Sequence, residues 1–483
     1  MREQFIDMEN KKTIIVHLFN QHWFHIGALA ELICINRDSI QEVQVYFHYK
    51  GLLEKPLHLH QHRIFNFLST PPEKALVLWL ENQGIKITFE YSKAKYIMYK
   101  FPKFSSLQEL KNYSFSDMKI GMATASHIIS KTKQSNPDIS SYSRLINRSL
   151  TTTKQIIEVL MSYKLERGSS EIWICNGRPL HERCVVEYAN NFKINLRFFE
   201  VIFDEVNLTM KPVLHKLSPH SRLGFQKEII DYGKNNFDFK TAESWFLERE
   251  SKNIFTINQN DKYLKKSNKK LITFFTSSDD ELSAVSEEWN SPWGDQFKCA
   301  ILLLKYFQDH PDYEFVIRVH PNMKNKSKID QNHWDSLSNE FSNVISYHSN
   351  VNSYHLMKDS AAVLVHGSTI GLEALYRNKP TGMLSNSRYD QLFESTIITN
   401  VNELNIWIEN LDSVVNFTKD SKIIMWGNYM KNAGTNWNKV TFKKGIAEKQ
   451  IPYIGKFRLK PNKLILGISR LLNYANVNKI KKI

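Results

Sequence analysis

The stretch AAVLVHGSTIGLEALYRNKPTGML, residues 361–384, decides the fold of this chain. A run of apolar residues stops at His-Gly-Ser-Thr, a helix-like segment follows, and Lys-Pro then precedes a second apolar run. Because the buried strands of parallel sheets are short and continuously apolar, this order predicts a strand, a glycine turn, a capped helix and another strand. Such a βαβ unit is the building block of doubly wound α/β folds.

The same alternation recurs along the chain and predicts two domains. In the first half it predicts a helix at 151–166 and strands at 13–19, 43–49, 118–124, 171–177 and 194–201. After residue 270 it predicts helices at 294–310 and 331–341, and strands at 270–278 and 313–321. We therefore predict an α/β fold of two Rossmann-like, doubly wound domains that face a central cleft. The predicted segments are a first domain at 1–250, a linker at 251–270, a second domain at 271–440 and a basic helical tail at 441–483.

Composition favours a globular chain without a membrane span. The 483 residues are 42% hydrophobic, no apolar run is long enough to cross a bilayer, and the first twenty residues lack a signal-peptide core. We therefore expect a cytoplasmic protein. The four cysteines form no CxxC pair and lie in apolar surroundings, which predicts buried thiols rather than a disulfide or zinc framework.

Most of the net charge of +15 lies in the last 41 residues. From Lys443 onward there are eleven Lys and Arg against one acid, Glu448, which gives +10. Apolar residues recur there at helical spacing between Leu464 and Ala475. This tail either lies on an anionic membrane surface or packs back onto the body, and the sequence leaves both open. Nucleic acid is not an expected partner, because the basic residues are not interleaved with stacking aromatics.

Polar residues follow three strands of the second domain at the edge where ligands of such sheets bind. They are Ser277 and Ser278, His320 and Pro321, and the run Gly367, Ser368 and Thr369. Backbone N–H groups and hydroxyls at helix starts favour anions, so this edge predicts a phosphate pocket. Gly367 would let the backbone come close to the ligand, whereas Ser368 and Thr369 would cap the helix or bind phosphate.

Two further side chains at this edge are candidates for ligand contacts. Glu373, one turn into the helix, would accept hydroxyls of a ribose. His320 would donate to a departing phosphate and, if protonated, offset its charge. His310 is also followed by proline, but there the pair ends a helix, where proline is simply a stop signal. The alternative for His320 is a structural histidine bonded to a backbone carbonyl.

These residues resemble a known family. IRVHPN at 317–322, VHGSTIGLEAL at 365–375 followed by Lys-Pro, and NGR at 176–178 are similar to motifs of bacterial capsule and lipopolysaccharide glycosyltransferases of the GT-B fold. Within that group the likeness is to capsular polysaccharide synthesis proteins, including those that transfer Kdo and related ulosonic acids. It covers residues 270–384 well and is weaker at 176–178 and 426–437.

The resemblance implies a nucleotide-sugar donor in the second domain. In GT-B sialyltransferases and Kdo transferases, a His-Pro motif and a Ser-rich motif hold the phosphate of CMP. His320 with Pro321, and Ser368 with Thr369, occupy those places here. Trp293, Asp295 and Gln296 would close over the nucleotide or simply pack at a helix start. Such enzymes generally need no metal, so neither a metal nor another cofactor is expected at the acidic run 279–281.

The acceptor and the catalytic base would come from the first domain, because GT-B chemistry takes place across the cleft. A base must take the proton of the acceptor hydroxyl. Glu200 ranks first and Asp204 second, although Val201 and Ile202 stand where similar enzymes have Arg-Gly after the glutamate. His22 and Arg178, which also follow strands, are acceptor-side candidates.

The preferred hypothesis is a glycosyltransferase, peripheral on the inner face of the cytoplasmic membrane, that acts in capsule or lipopolysaccharide synthesis. It would move a sugar from a CMP-activated donor to a glycan or lipid-linked glycan acceptor. One rival is a teichoic-acid-type polyol-phosphate transferase, which shares the GT-B plan and a similar His-Pro. Another is a relative that binds nucleotide or carbohydrate without catalysis.

Overall fold

The computed structural model describes residues 11–19, 22–48, 72–91, 97, 99–163, 168–204, 209–251, 261–277, 283–392, 397–413, 422–444 and 450–459. The helices are α1 Trp23–Ile35, α2 Pro72–Asn82, α3 Leu107–Asn112, α4 Ile120–Thr132, α5 Ser143–Ser162, α6 Leu180–Phe192, α7 Arg222–Asn236, α8 Phe239–Ser251, α9 Gln296–Gln308, α10 Lys328–Glu340, α11 Ser353–Asp359, α12 Ile370–Tyr376, α13 Val401–Glu409 and α14 Ile423–Asn432. The strands are β1 Lys12–Leu18, β2 Ile40–Phe47, β3 Ile87–Tyr91, β4 Ser170–Cys175, β5 Asn195–Asp204, β6 Thr209–His215, β7 Lys270–Phe275, β8 Tyr313–Arg318, β9 Val344–Ile345, β10 Ala362–Val365, β11 Thr381–Met383, β12 Val440–Lys444, β13 Gln450–Ile454 and β14 Phe457–Arg458.

The first sheet has six strands in the order β3-β2-β1-β4-β5-β6. All neighbours are parallel except β5 and β6, which form an antiparallel pair. In β4 every residue is buried, as expected of a central strand that is covered by helices on both faces. Two apolar clusters occupy those faces, one around Ile128 and Ile172 and the other around Ile14 and Val43.

The second sheet has five parallel strands in the order β11-β10-β7-β8-β9. Numbered within the domain, this is the 3-2-1-4-5 order of a doubly wound fold, and the first five strands of the other sheet have the same order. The predicted architecture of two Rossmann-like domains is therefore confirmed. In this topology ligands bind beyond the carboxyl ends of the strands, where the order reverses between β7 and β10.

Three elements of the first sheet differ from the expectation. Residues 118–124, predicted as a strand, instead lead into helix α4, which runs on through Ala125 and Ile129 to Thr132. A short apolar run does not distinguish a strand from a buried helix, and the apolar residues that follow extend this one to thirteen helical residues. Strands β3 and β6 were not predicted from the sequence.

The boundary between the domains lies earlier than residue 250. Helices α7 and α8 follow β6, yet Phe225, Ile229 and Trp245 pack in one apolar cluster with Leu271 and Val316 of the second sheet. Their packing assigns residues 222–251 to the second domain. Within the predicted linker, Tyr263 and Ser267 donate hydrogen bonds to Glu314, so its described part is held against β8.

The chain returns to the first domain near its end. Val440, Ile454 and Leu459 pack in the same cluster as Ile14 and Val43. Instead of the predicted helical tail, the described residues after 440 form an antiparallel ribbon of β12, β13 and β14. Residues 461–483, which include the predicted amphipathic helix, lie outside the described residues. None of the helices described is long and apolar enough to cross a membrane.

Candidate functional site

The three predicted strand ends of the second domain meet at one small pocket. Its walls come from the ends of β7, β8 and β10 and from the start of α11. The lining residues are Phe275, Thr276, Arg318, His320, Pro321, Ser353, Tyr354, Ser368, Thr369 and Ile370. The volume is about 40 Å³, which is room for roughly three water molecules. A pocket of this size accommodates a single phosphate-sized group.

Thr276 and Ser277 hold the pocket together through their hydroxyl groups. The Thr276 hydroxyl accepts the backbone N–H of His320 at 2.8 Å, which joins the ends of β7 and β8. The Ser277 hydroxyl donates to the carbonyl of His366 at 2.6 Å, and the Gln296 amide brackets the Ser277 backbone with two bonds of 2.8 Å. Ser277 therefore serves as scaffold here, which corrects its assignment as a phosphate ligand. Ser278 lies outside the described residues.

His320 is a neutral donor rather than the cation considered above. Its Nδ1 accepts the backbone N–H of Asn322 at 3.1 Å, so the proton of the neutral ring is on Nε2. Burial, assisted by the positive charges of Lys326 and Arg318, lowers the pKa of His320 from 6.5 to about 4. At neutral pH the His320 ring is therefore uncharged and offers one N–H group, on Nε2. Pro321 follows at the first position of a 3₁₀ turn, Pro321–Asn325, which fixes the backbone on that side.

The turn after β10 carries the second pair of candidate ligands. Gly367 adopts φ 74°, a left-handed conformation that a residue with a Cβ rarely takes. The Ser368 carbonyl accepts the hydroxyl of Tyr389 and the N–H of Gly371, which fixes the backbone of the turn. Ser368 and Thr369 line the pocket, and within the described part of the chain neither side-chain hydroxyl has a hydrogen-bond partner. These two hydroxyls remain available to a ligand.

The positive charge of the pocket comes from Arg318, which sequence reasoning missed. This side chain is 1% exposed and donates to the carbonyls of Val319, Ser346, Ser349 and Val351. Its Nε is buried without a partner, and no carboxylate of the described residues forms an ion pair with it. Burial lowers the pKa of Arg318 only to about 10, so the guanidinium stays charged at neutral pH. The signal in the sequence was an arginine inside the apolar run FVIRV.

Glu373 does not face the pocket. Its Oε1 accepts the Arg249 Nε–H at 2.8 Å and the Tyr354 hydroxyl at 3.0 Å, and the residue is 3% exposed. This internal ion pair joins α12 to α8 and to α11. The assignment of Glu373 to ribose hydroxyls is therefore corrected, because its carboxylate is committed to the interior.

Trp293 and Asp295 also have structural contacts. The Trp293 indole donates to the carbonyl of Ile398 at 2.7 Å and lies in the core, whereas Asp295 caps α9 by accepting the Lys298 N–H at 2.8 Å. Together with the bonds of Gln296 to Ser277, these contacts fix the start of α9 beside the pocket. The contacts therefore favour packing at a helix start, rather than closure over a nucleotide, as the role of Trp293 and Asp295.

On the first domain, Glu200 forms the start of a hydrogen-bonded chain. It accepts from the amide of Asn176, which is held at φ 58° in the turn after β4. The Asn176 Oδ1 lies 2.9 Å from Nε2 of His220 and accepts the Arg178 N–H at 3.1 Å. Burial raises the pKa of Glu200, while His215, the Asn176 bond, Arg388 and Arg178 oppose the rise.

His220 joins this chain to the second domain. Its carbonyl accepts the Trp289 indole N–H at 3.2 Å, and its Nδ1 lies 3.4 Å from the guanidinium of Arg388. Because Arg388 can only donate, Nδ1 carries no proton and Nε2–H donates to Asn176. Burial, together with Arg388 and other nearby cations, lowers the pKa of His220 well below its usual value. Glu200 is thus linked through Asn176 and His220 to Arg388 of the second domain.

The other first-domain candidates lie apart from this chain. Asp204, the second candidate for the catalytic base, lies 3.6 Å from the ammonium group of Lys431 in α14 and forms an ion pair with it. His22 precedes α1 and stacks on Phe24 with ring centroids 5.4 Å apart, and no described contact brings it to Glu200. No group of three or more His, Cys, Asp or Glu suited to a metal ion occurs among the described residues.

Comparisons with known proteins match part of the chain. No curated protein is similar enough in sequence to count as a match. Among solved structures, a β-Kdo 2,4 transferase of Thermosulfurimonas dismutans, KpsC, is 11% identical, with 46% of this chain and 70% of that chain covered and a TM-score of 0.32. A β-Kdo 2,7 transferase of the same organism is 14% identical, with 66% and 89% covered and a TM-score of 0.32.

A UDP-GlcNAc 2-epimerase of Methanocaldococcus jannaschii is 13% identical, with 86% and 97% covered and a TM-score of 0.30. The family comparison is more specific, because the model for capsule polysaccharide biosynthesis proteins matches residues 234–417. That segment contains every lining residue of the small pocket. The family resemblance seen in the motifs at 317–322 and 365–375 is thereby confirmed over residues 234–417, as a likeness to capsule polysaccharide biosynthesis proteins.

Proposed function

We propose that this chain is a glycosyltransferase of surface polysaccharide synthesis that uses a nucleotide-activated sugar. The observation that carries the proposal is the small pocket, whose lining residues include two with free hydroxyls, a neutral histidine and a buried arginine. A fixed cation behind neutral donors suits a phosphate, because the charge is already desolvated and the donors need no reorganisation. The family match over the same residues supports the assignment.

In the proposed reaction the acceptor hydroxyl oxygen attacks the anomeric carbon of the donor sugar. As that C–O bond forms, the bond from the anomeric carbon to the phosphate oxygen breaks, and its electron pair leaves with the nucleotide. Glu200 takes the acceptor's proton, and its raised pKa makes the carboxylate a better base than an ordinary glutamate. The hydroxyls of Ser368 and Thr369 and the His320 Nε2–H stabilise the charge of the departing phosphate, with Arg318 behind them.

The finer proposal is a CMP-activated donor, with Kdo or a related ulosonic acid as the sugar and a glycan or lipid-linked glycan as the acceptor. It rests on the likeness of the His320-Pro321 and Ser368-Thr369 motifs to those that hold CMP. The small size of the pocket agrees with one phosphate rather than two. Peripheral membrane attachment is also part of the proposal. It rests on the sequence of residues 461–483, in which apolar residues at helical spacing are accompanied by basic ones.

A thermal-shift panel of CMP, CDP, UDP and GDP tests the proposal. We expect CMP to raise the melting temperature most, and His320→Ala or Ser368→Ala to abolish that shift while leaving the melting temperature of the free protein nearly unchanged. If none of the four nucleotides stabilises the protein at millimolar concentration, the proposal is wrong. Transfer of glycerol phosphate from CDP-glycerol would instead establish the polyol-phosphate rival.

A further inference from the structure

A second and larger cavity lies between the two domains, next to the phosphate pocket. Its volume is about 550 Å³, within the range of roughly 300–1,000 Å³ that is usual for small-molecule sites. The first domain contributes residues between Gln134 and Tyr142, and the second contributes 295–298 and 323–334. The turn Pro321–Asn325 separates the two cavities, because Pro321 lines the small one and Met323 lines the large one. The reaction proposed above uses no residue of this cavity directly.

A stacked pair of rings forms part of the second-domain wall. Phe297 and His333 lie nearly parallel, with centroids 5.2 Å apart and an angle of 28° between their planes. Trp334 meets Phe297 edge-on with centroids 5.4 Å apart, and Tyr142 lines the cavity from the other domain. Such rings offer apolar surface at low conformational cost, and the C–H face of a sugar ring packs against surface of this kind.

The first-domain wall offers neutral polar groups. Gln134, Ser135 and Asn136 line the cavity, and within the described part of the chain none of their side chains forms a hydrogen bond, although the Gln134 backbone N–H donates to Thr132. Amide and hydroxyl side chains can both donate and accept. A sugar hydroxyl also does both, so these groups match its requirements without regard to charge.

The charged groups of the cavity nearly balance and are largely occupied. Three aspartates face two lysines, Lys298 and Lys326. The aspartates already have partners: Asp138 accepts from Ser140 and Ser141, Asp295 caps α9, and Asp330 accepts from Ser327. A cavity without a strong net charge does not select a phosphate, in contrast to the neighbouring pocket that contains Arg318.

We propose that this interdomain cavity binds a stretch of glycan, with the Phe297–His333 pair as its stacking surface and the side chains at 134–136 as its hydrogen-bonding wall. Its position beside the phosphate pocket makes this glycan the acceptor of the transfer. The identification as acceptor rests on the proposed function, whereas binding of the glycan does not.

Two cavity residues, the exposed His333 and the half-buried Gln134, and one matched control provide the test. His333→Ala removes the stacking surface on the second domain, and Gln134→Ala removes a hydrogen-bonding group on the first. His310→Ala is the control, because His310 also stacks on a ring of α9, Tyr306, with centroids 4.0 Å apart, but lies outside the cavity. The probe is a printed array of bacterial surface glycans, read with the full-length chain and each variant.

We expect the wild-type chain and His310→Ala to bind the same glycans. His333→Ala should bind them about fivefold or more weakly, in line with the usual strength of one ring contact, and Gln134→Ala should also be weaker. The proposal is overturned if the wild-type chain binds no glycan of the array, or if both cavity variants bind as the wild type does. CMP stabilisation is measured on the same samples. Its absence contradicts the proposed function, while its presence alongside a failed array contradicts only the glycan site.

Discussion

Arg249 and Glu373 form a buried ion pair that joins α8 to α12, with 2.8 Å between Arg249 Nε and Glu373 Oε1. Both side chains are about 5% exposed or less, and the Arg249 guanidinium also lies 4.5 Å from the ring centroid of Trp245. The pair ties the helix after β10 to a helix that precedes the sheet in the chain. Glu373 therefore stabilises the wall behind the phosphate pocket.

Removal of this carboxylate should destabilise the protein without a direct effect on ligand contacts. Glu373→Ala removes the carboxylate that pairs with the buried Arg249 cation, so we expect the free energy of unfolding to fall by about 3 kcal/mol or more. Lys298→Ala, which breaks the exposed pair of Lys298 with Asp295, should cost at most about 1 kcal/mol. Urea denaturation of both variants measures the difference. Equal losses would show that the buried pair has no special role.

The pocket residues at the strand ends of the second domain were predictable, because parallel strands place their carboxyl ends at the same edge of the sheet. His320, Pro321, Ser368 and Thr369 all follow apolar runs, and parallel topology alone brings such positions together. The contacts of Glu373 were not predictable, because its partner Arg249 lies more than a hundred residues earlier in the chain. The same holds for the assignment of α7 and α8, since amphipathic helices do not reveal which sheet they cover.

Arg318 should discriminate between ligands with and without phosphate. Arg318→Met removes the charge, so we expect CMP affinity to fall more than about tenfold while cytidine affinity changes little. Arg318→Lys keeps a cation and should retain part of the preference for CMP. This second variant is needed because the guanidinium also donates to four backbone carbonyls, so that its loss affects the fold as well as the charge. Isothermal titration with both ligands gives the ratio. A parallel loss for CMP and cytidine would mean that Arg318 acts only on the fold.

Glu200 should control the acid side of the pH–rate profile. A base acts only when ionised, and burial raises the pKa of Glu200, so transfer should decline at a higher pH than an ordinary glutamate would give. Glu200→Gln should lower kcat by about a hundredfold or more and leave CMP stabilisation intact. Asp204→Asn is the matched control, since Asp204 pairs with Lys431 and should be dispensable. Full activity in Glu200→Gln would exclude it as the base.

Buried histidines should make the protein unstable in mild acid. His17 Nδ1 lies 2.8 Å from His48 Nε2, and burial is the main cause that lowers both pKa values, that of His48 from 6.5 to about 3. Because the unfolded chain takes up these protons below pH 6.5 and the folded chain does not, stability present above pH 6.5 is lost as pH falls. For His48 alone the loss at pH 5 is about 2 kcal/mol. Urea denaturation of the wild type and His48→Gln at pH 7 and pH 5 should show a smaller pH effect in the variant; equal pH effects would contradict this account.

Glu31 should anchor the returning end of the chain to the first domain. Its fully buried Oε1 accepts the backbone N–H groups of Lys439 and Val440, the second at 2.8 Å. Sequence reasoning predicted a separate tail from residue 441, because nothing local in a lysine-rich segment reveals that a carboxylate some four hundred residues earlier receives it. Glu31→Ala removes the acceptor of both N–H groups, and for the buried N–H of Val440 this loss costs about 1–3 kcal/mol.

We expect the amides of Lys439 and Val440 in Glu31→Ala to exchange with solvent faster than those of the second-domain core, measured by hydrogen exchange. Glu42→Ala is a suitable control, because Glu42 is a first-domain acid that pairs with the exposed Lys86. If the two variants exchange alike at 439 and 440, the ribbon is held by the packing of Val440, Ile454 and Leu459 alone. If only Glu31→Ala exchanges faster, this single carboxylate controls how the two domains are fastened at the end of the chain.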